Sequence, residues 1–381
     1  MSRRVLVVVG TRPEAIKMAP VVKALGACPE LATRVALTGQ HGDLADQALE
    51  AFDTPAHYDL AIMKPDQSLY DVVGGVLEGL RRVVADFRPD VVLVQGDTAT
   101  AFTASLVAFF ERVKVGHIEA GLRSGEDRGT PFPEEMFRRL TDVLADYYFA
   151  PTVGARNALL AENAPAKRIF VTGNTVVDAL LAAAEQERPV EDPDLRTVID
   201  DPALRLVLLT AHRRESFGDP LRRVFRAVRR VADAAERVRI VYPVHPNPNV
   251  SEPAHEILGG HPRVILTRPL GYFDLVAALR HASLVLTDSG GIQEEAPTFG
   301  APVLVLRERT ERPEGVVAGA AELVGTDEQA ILERSLAHLD DTSPARVPTQ
   351  PYGDGRAGER IADILVSELT GRPRRTTDRT A

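Results

Sequence analysis

The chain is poor in cysteine. Cys28 stands alone among 381 residues, so no intramolecular disulfide can form. Long hydrophobic runs are missing too: no stretch approaches a membrane span, and the apolar run in the opening MSRRVLVVVGTRPE is too short for a signal peptide. No membrane association and a cytoplasmic location are therefore expected. Positive charge is in deficit. A net charge of −9 argues against a nucleic-acid partner, because holding a phosphate backbone takes a basic surface field, although a few Arg and Lys residues can still hold a small anion. Four signature motifs are also absent. Without GxGxxG after a strand, GxxxxGK[ST], HExxH or paired CxxC, neither NAD, a P-loop nucleotide nor structural zinc has support. No cofactor and no metal are expected, and the chemistry must rest on side chains and substrate.

What is present is a regular alternation of apolar strands and helical segments. With 381 residues and 44% hydrophobic content, the chain exceeds one comfortable core, and two domains are expected. Val5 to Val9 has the continuous aliphatic pattern of a strand buried on both faces of a parallel sheet. Gly10, Thr11, Arg12 and Pro13 end it, and a helix is expected from Glu14 to about Leu25, with Arg12 and Lys17 near its positive end. Cations there cap a helix poorly but suit an anion. Arg34 to Thr38 reads as a second strand, and Ser68 to Phe87 carries Leu69, Val72, Val76, Leu80 and Val83 at helical spacing.

Val91 to Thr98 is the next strand, ending on Asp97, which either caps the helix Ala99 to Arg112 or takes part in catalysis. Lys114 to Arg123 reads as a strand with His117 and Glu119 inside an apolar run, where a carboxylate is costly unless paired or put to use. The loop Ser124 to Pro133 is rich in breakers and suits a substrate lid. Beyond it, Glu134 and Arg138 are four apart and read as a helix ion pair. The other reading gathers Glu134 with Asp97 and Glu119 into a cluster whose repulsion pushes at least one pKa upward.

Strands at Tyr147 to Ala150 and Ile169 to Thr172 lead to Gly173 and a helix from Thr175 to about Gln186. Glu187 to Asp201 is proline- and acid-rich and reads as a linker, and its Asp192-Pro193-Asp194 is not taken as a metal site. The alternation then repeats. Leu204 to His212 is a strand whose His212, beside Arg213, is a ligand contact or a cap-region residue. Further strands end at His245 and Arg268. In the stretch Leu284 to Gly315, a strand is followed by Asp288, Ser289, Gly290 and Gly291, a helix opening at Ile292, a strand from Pro302 to Leu306 and a loop with Arg312. Two glycines and the first helical N–H groups suit a phosphate; the alternative is a plain turn capped by Ser289, with Glu294 and Glu295 as first-turn acids. The fold class expected is α/β, two Rossmann-like doubly wound domains facing across a cleft that holds the site. The expected division is 1–174 and 175–356, with a helix at about 357–370 packing back on the first domain and 371–381 as a disordered tail.

Taken in order, GTRPEAIKMAP, QGDT, HIEAGLR, PFPEE, GNTVVDA, HRRES and SGGIQEEAP with TERPEG resemble the non-hydrolysing UDP-N-acetylglucosamine 2-epimerase family, from Arg4 to about Leu369. The resemblance implies the B-type glycosyltransferase fold and reversible epimerisation at C2 of UDP-N-acetylglucosamine to UDP-N-acetylmannosamine. UDP is eliminated to leave a 2-acetamidoglucal and is then added back, with no oxidising cofactor. Matched by motif, Asp97, Glu119 and Glu134 resemble the acid/base carboxylates and His212 the diphosphate-side histidine. Arg12, Ser289, Gly290 and Arg312 resemble diphosphate contacts, Glu295 the ribose contact, and Lys17 and Arg138 further substrate-side charges; His245 and Gly291 complete the candidate binding set. Family members are commonly homodimers.

Some positions depart from the family pattern. Phe137 stands where Asn is usual. Asp43 and Asp66 fall in segments that bind an activating second UDP-N-acetylglucosamine in bacterial members, and their charge repels a diphosphate, so activation is expected to be weak or absent. The competing readings are a hydrolysing 2-epimerase, a glycosyltransferase on the same fold and a non-catalytic sugar-nucleotide sensor.

Overall fold

The computed structural model describes residues 2–39, 49, 51–63, 67–125, 127–186, 188–340 and 348–380. Asp43 and Asp66, on which the second-site expectation turns, lie outside the described residues. The chain forms two compact units, Met1–Ala179 with Tyr352–Ala381, and Leu180–Pro351.

The first unit runs β1 (Arg3–Val9), α1 (Arg12–Gly26), β2 (Leu31–Leu37), β3 (Tyr58–Asp59), α2 (Leu69–Phe87), β4 (Val91–Gln95), α3 (Ala99–Phe110), β5 (Lys114–Ile118), α4 (Glu134–Leu144), β6 (Tyr147–Ala150), α5 (Val153–Ala161), β7 (Ile169–Val171) and α6 (Thr175–Glu185) among the described residues. The last of these helices runs on into the second unit. The sheet order is β3-β2-β1-β4-β5-β6-β7, with parallel pairing throughout. Helices cover the sheet, so Val5 to Val9 are at most 1% exposed, and each such aliphatic side chain contributes about 1.5–3 kcal/mol through burial. Local chemistry sets the helix starts. Thr11 with Glu14 and Ser68 with Asp71 form capping boxes, and Thr98, rather than Asp97, caps α3 by accepting from the Ala101 N–H.

The second unit runs α7 (Pro193–Asp200), β8 (Arg205–Thr210), α8 (Asp219–Ala234), β9 (Val238–Pro243), α9 (Pro248–Leu258), β10 (Val264–Thr267), α10 (Tyr272–His281), β11 (Ala282–Thr287), α11 (Gly290–Glu295), β12 (Val303–Val305), α12 (Pro313–Val317), β13 (Ala321–Leu323) and α13 (Glu328–Leu339). Its sheet order is β10-β9-β8-β11-β12-β13, again parallel. The core packs α8 through Val224, Phe225, Val228 and Val231 against Ile240, Tyr242, Leu284 and Leu286. A final helix, α14 (Ala357–Thr370), belongs to the first unit and packs on α1 so closely that a Cβ at Gly358 would lie 2.8 Å from the Pro20 carbonyl oxygen. Among the described residues no helix is long and apolar enough to cross a membrane. Two doubly wound parallel α/β units are the B-type glycosyltransferase class that the sequence implied.

Several expectations need correction. The segment read as a linker holds a helix, α7, because Asp192 accepts from the Asp194 and Leu195 N–H groups with Pro193 at the first helical position. The acid–proline–acid run is thus a cap signal. The strand read as Lys114 to Arg123 stops at Ile118, and Glu119 stands in the turn beyond it. Glu134 and Arg138 do not pair; Arg138 bonds Asp97 and lies 3.4 Å from Glu135. Phe137 stacks on Phe102 with ring centroids 5.4 Å apart, so the departure from Asn fills core. The tail read as disordered is ordered through 380. Asp363 accepts from the Arg375 N–H, the Thr376 N–H and the Thr376 hydroxyl at 2.7, 2.8 and 2.9 Å. Further on, the Arg379 N–H donates to Val171 O and the Val171 N–H to Asp378, which covers the edge strand β7.

If Asp363 is the anchor of this tail, Asp363→Ala leaves several donors without their acceptor and costs about 2 kcal/mol. Limited proteolysis should then cut after Gly371 in the variant and spare the wild type; equal resistance would show that the tail is held elsewhere.

Candidate active site

In a doubly wound sheet, ligands bind outside the carboxyl ends of the strands where the strand order reverses. In the first unit that point lies between β1 and β4. Arg12 and Lys17 follow β1 on the first turns of α1, Asp97 follows β4, and Glu119 follows β5. Glu119 has φ +67°, a left-handed backbone that a residue with a long side chain adopts only at a cost, and such strain concentrates at functional sites. Its carboxylate is 6% exposed and closely held. Lys17 Nζ lies 2.6 Å from Oε1, Asn174 donates to Oε1 at 2.8 Å, and Gln95 donates to Oε2. A Cβ at Gly96 would lie 3.6 Å from Glu119 Oε2, so this carboxylate sits against the residue that precedes Asp97.

Asp97 is half-buried and accepts from Arg138 of α4. Its backbone is braced from behind. The His117 ring, fully buried, places Nε2 2.8 Å from Gly96 O and Nδ1 2.6 Å from Asp142. Burial alone would raise the Asp142 pKa, but His117 and Arg123 beside it prevail and hold it below the usual carboxylate range. Glu134, at the start of α4, is half-buried, and its carboxylate makes no hydrogen bond or ion pair among the described residues. Arg12 likewise has no such partner among the described residues. The structure therefore joins Lys17 to Glu119 and Arg138 to Asp97, without a direct contact among the three carboxylates.

Glu14 is the group that sequence reasoning passed over. It is 2% exposed, and its Oε2 accepts from the Gly10 and Thr11 N–H groups at 3.1 and 2.7 Å while Oε1 accepts from the Thr98 hydroxyl at 2.8 Å. Burial raises its pKa to about 7, outweighing those hydrogen bonds, which lower it. The Thr-x-x-Glu spacing announced a capping box; nothing local announced how deeply the acid is buried.

In the second unit the order reverses between β8 and β11. Here Asp288, 1% exposed, ties the two strand ends together: Oδ2 accepts from the His212 and Arg213 N–H groups, each at 2.8 Å. The His212 ring lies with Nδ1 3.8 Å from Asp288 Oδ1 and stacks on His245 at 5.5 Å. Burial lowers the His212 pKa below the ordinary imidazole value; Asp288 pulls it upward, while His245 and Arg213 push it further down. Ser289 occupies the cap position of α11, but its hydroxyl makes no cap hydrogen bond, contrary to the plain-turn reading. Glu294, expected as a first-turn acid, is buried and holds Arg312. A Cβ at Gly290 would lie 3.7 Å from Arg213 Nη2 and 3.9 Å from Arg312 Cζ, so two guanidinium groups flank that glycine. Arg213 was noted in the sequence only as a neighbour of His212. Gly291 lies between Ser289 and Glu295, its Cβ position 3.9 Å from the Ser289 hydroxyl and from Glu295 Oε1.

The buried Glu14 carboxyl makes a stability prediction. Its folded-state pKa is raised, so the stabilisation is complete below the unfolded value of 4.5 and is lost as pH rises through about 7, about 3 kcal/mol in all. Chemical denaturation of wild type and Glu14→Gln between pH 4.5 and 7.5 should show the variant losing less stability across this window; parallel curves would mean that Glu14 does not titrate there.

Known proteins match this chain along nearly its whole length. The family profile described as UDP-N-acetylglucosamine 2-epimerase matches residues 23–366. The chain is similar to the UDP-N-acetylglucosamine 2-epimerase of Salmonella typhimurium, 48% identical over 371 residues that cover 96% of this chain and 98% of that protein. Among solved structures it resembles a putative UDP-N-acetylglucosamine 2-epimerase from Listeria monocytogenes, with TM-score 0.92, 44% identity and 100% of both chains covered. It also resembles the UDP-GlcNAc 2-epimerase from Neisseria meningitidis bound to UDP-GlcNAc, with TM-score 0.85, 41% identity, and 97% of this chain and 100% of that one covered.

Proposed function

This chain belongs to the UDP-N-acetylglucosamine 2-epimerase family, and from that premise we propose that it interconverts UDP-N-acetylglucosamine and UDP-N-acetylmannosamine without hydrolysing them. The observation that carries the reading is the set of carboxylates and cations at the strand ends of the first unit, Asp97 with Arg138 and Glu119 with Lys17, together with the guanidinium pair beside Gly290 in the second.

The chemistry follows from the substrate. The C2 proton is not flanked by a carbonyl and is hardly acidic, so inversion proceeds by elimination. A carboxylate takes the C2 proton, the C–H electron pair forms the C1–C2 double bond, and the C1–O bond breaks with its electrons leaving on UDP. The 2-acetamidoglucal is then protonated at C2 from the other face while UDP returns to C1. Asp97, Glu119 and Glu134 are the acid/base set, and the three need not act alike. Arg12, Ser289, Gly290 and Arg312 contact the diphosphate, joined by Arg213; Glu295 takes a ribose hydroxyl, and His245 and Gly291 line the nucleotide. Cations on the diphosphate stabilise charge that grows as the C1–O bond breaks, so they favour the transition state over bound substrate. Burial lowers the His212 pKa in the free protein and a bound diphosphate raises it, and the ring can donate a hydrogen bond to the diphosphate in either state.

The homodimer expected from the family is also part of this proposal. Met136, Leu140 and Val143 form an exposed apolar stripe on α4, next to α3, whose C-terminal end exposes Phe109 and Phe110. A second copy of the chain would cover it.

Proton NMR of UDP-N-acetylglucosamine with the enzyme in deuterated water tests the reaction. UDP-N-acetylmannosamine should appear, with deuterium entering C2 of both nucleotide sugars; free N-acetylmannosamine and UDP would instead show the hydrolysing reaction. Asp97→Asn should lower kcat by about 10²–10⁴-fold while UDP still binds. Sedimentation should give a dimer, and Leu140→Asp with Val143→Asp should shift it to monomer without unfolding; an unshifted dimer would place the interface elsewhere.

A further inference from the structure

Glu14 takes no part in the elimination, yet its carboxylate takes hydrogen bonds from two turns far apart in the sequence. Two of them, from the Gly10 and Thr11 N–H groups, belong to the start of α1, the helix that carries Arg12 and Lys17. The third comes from Thr98, 84 residues away and next to Asp97. With Glu14 ionised, Thr98 is the donor in that bond. The Thr98 oxygen accepts from the Ala101 N–H at 3.0 Å to cap α3, which leaves its proton for Glu14 Oε1. The same two turns are in tight contact: a Cβ at Gly10 would fall 2.3 Å from the Thr100 hydroxyl oxygen, which in turn lies 3.1 Å from that of Thr38.

Helix capping accounts for only part of this. A capping box works with Gln as well as Glu, and the amide has no charge to desolvate. What a carboxylate adds is a second accepting oxygen, and here that oxygen receives Thr98. We propose that Glu14 is a positioning residue for the epimerisation, holding the β1–α1 and β4–α3 turns together through Thr98 and so setting the Asp97 carboxylate relative to Arg12 and Lys17. The role rests on the reading above in which Asp97 transfers a proton. Displacing a catalytic group by about 1 Å can cost roughly a hundredfold in rate, so a distant brace of this kind registers in turnover.

The test compares Glu14→Gln, Thr98→Val, Thr98→Ser and Ser68→Ala with the wild type, following kcat, KM, the rate of deuterium entry at C2 and thermal melting. Thr98→Val and Ser68→Ala each remove one helix cap, worth about 1 kcal/mol, and Ser68 caps α2 with Asp71 as its partner, away from Glu14. Glu14→Gln and Thr98→Val should lower kcat and C2 exchange together, roughly tenfold or more, with a smaller change in KM. Thr98→Ser keeps the hydroxyl and should restore most of the rate, and Ser68→Ala should melt lower with kcat unchanged. Wild-type exchange in Thr98→Val, or a rate loss in Ser68→Ala equal to that in Thr98→Val, would overturn the role and leave the reaction standing. A wild-type enzyme that binds the nucleotide sugar and exchanges nothing at C2 would overturn the reaction and this role with it.

Discussion

A parallel sheet covered by helices on both faces leaves charged side chains few places except the ends of its central strands. The strands beside the two crossover points follow that constraint. Val5 to Val9, Val91 to Val94 and Leu206 to Leu209 are buried aliphatic runs, and the charged residues begin within three positions of the last strand residue: Arg12 after Val9, Asp97 after Gln95, His212 after Thr210. Where neighbouring strands send their chains to opposite sides, between β1 and β4 and between β8 and β11, those ends splay and leave a crevice. The position of the chemistry follows from how the sheets are covered.

Several of the charges collected at these ends are held before any substrate arrives, while Arg12 and Glu134 make no hydrogen bond or ion pair among the described residues. Lys17, Gln95 and Asn174 hold Glu119, Arg138 holds Asp97, and the buried Glu294 holds Arg312. Fixing them in advance is what lets a site act on developing charge without reorganising at the moment of reaction. It also has an energetic cost: Glu119 in a left-handed conformation and Glu14 with a pKa near 7 are features that stability alone would not select. Behind the charged groups stand neutral or paired supports. His117 and Asp142 hold the carbonyl before Asp97, Thr98 and Glu14 hold the residue after it, and α4 supplies both Asp142 and Arg138.

Helix and strand positions were readable because their periodicity is local. The strand at Val5 to Val9 and the helix from Ser68 to Phe87 matched to within a few residues, since burial on two faces or one leaves its mark on consecutive side chains. The first misreading was of a local signal, and the others were of contacts between elements. Asp192 before Pro193 looked like linker composition and is a helix cap; the basic tail looked unable to order itself and is held by Asp363, which lies on another element. Glu134 and Arg138 had the right spacing to pair, but Arg138 bonds Asp97 in the turn after β4 instead. Composition and spacing cannot weigh a competitor that is far away in the chain.

From its residues alone, this chain specified two α/β units, the ends of the strands where ligand groups gather and, through seven ordered motifs, the family to which it belongs. All of these are written in short stretches of sequence, where glycine, proline and aliphatic runs act on their immediate neighbours. Tertiary structure decided the rest: which cation holds which carboxylate, that Arg213 stands with Arg312 beside Gly290, and that Glu14 joins a turn 84 residues away. Those facts depend on burial and on contacts across strands, and both come into being only when the sheet has formed.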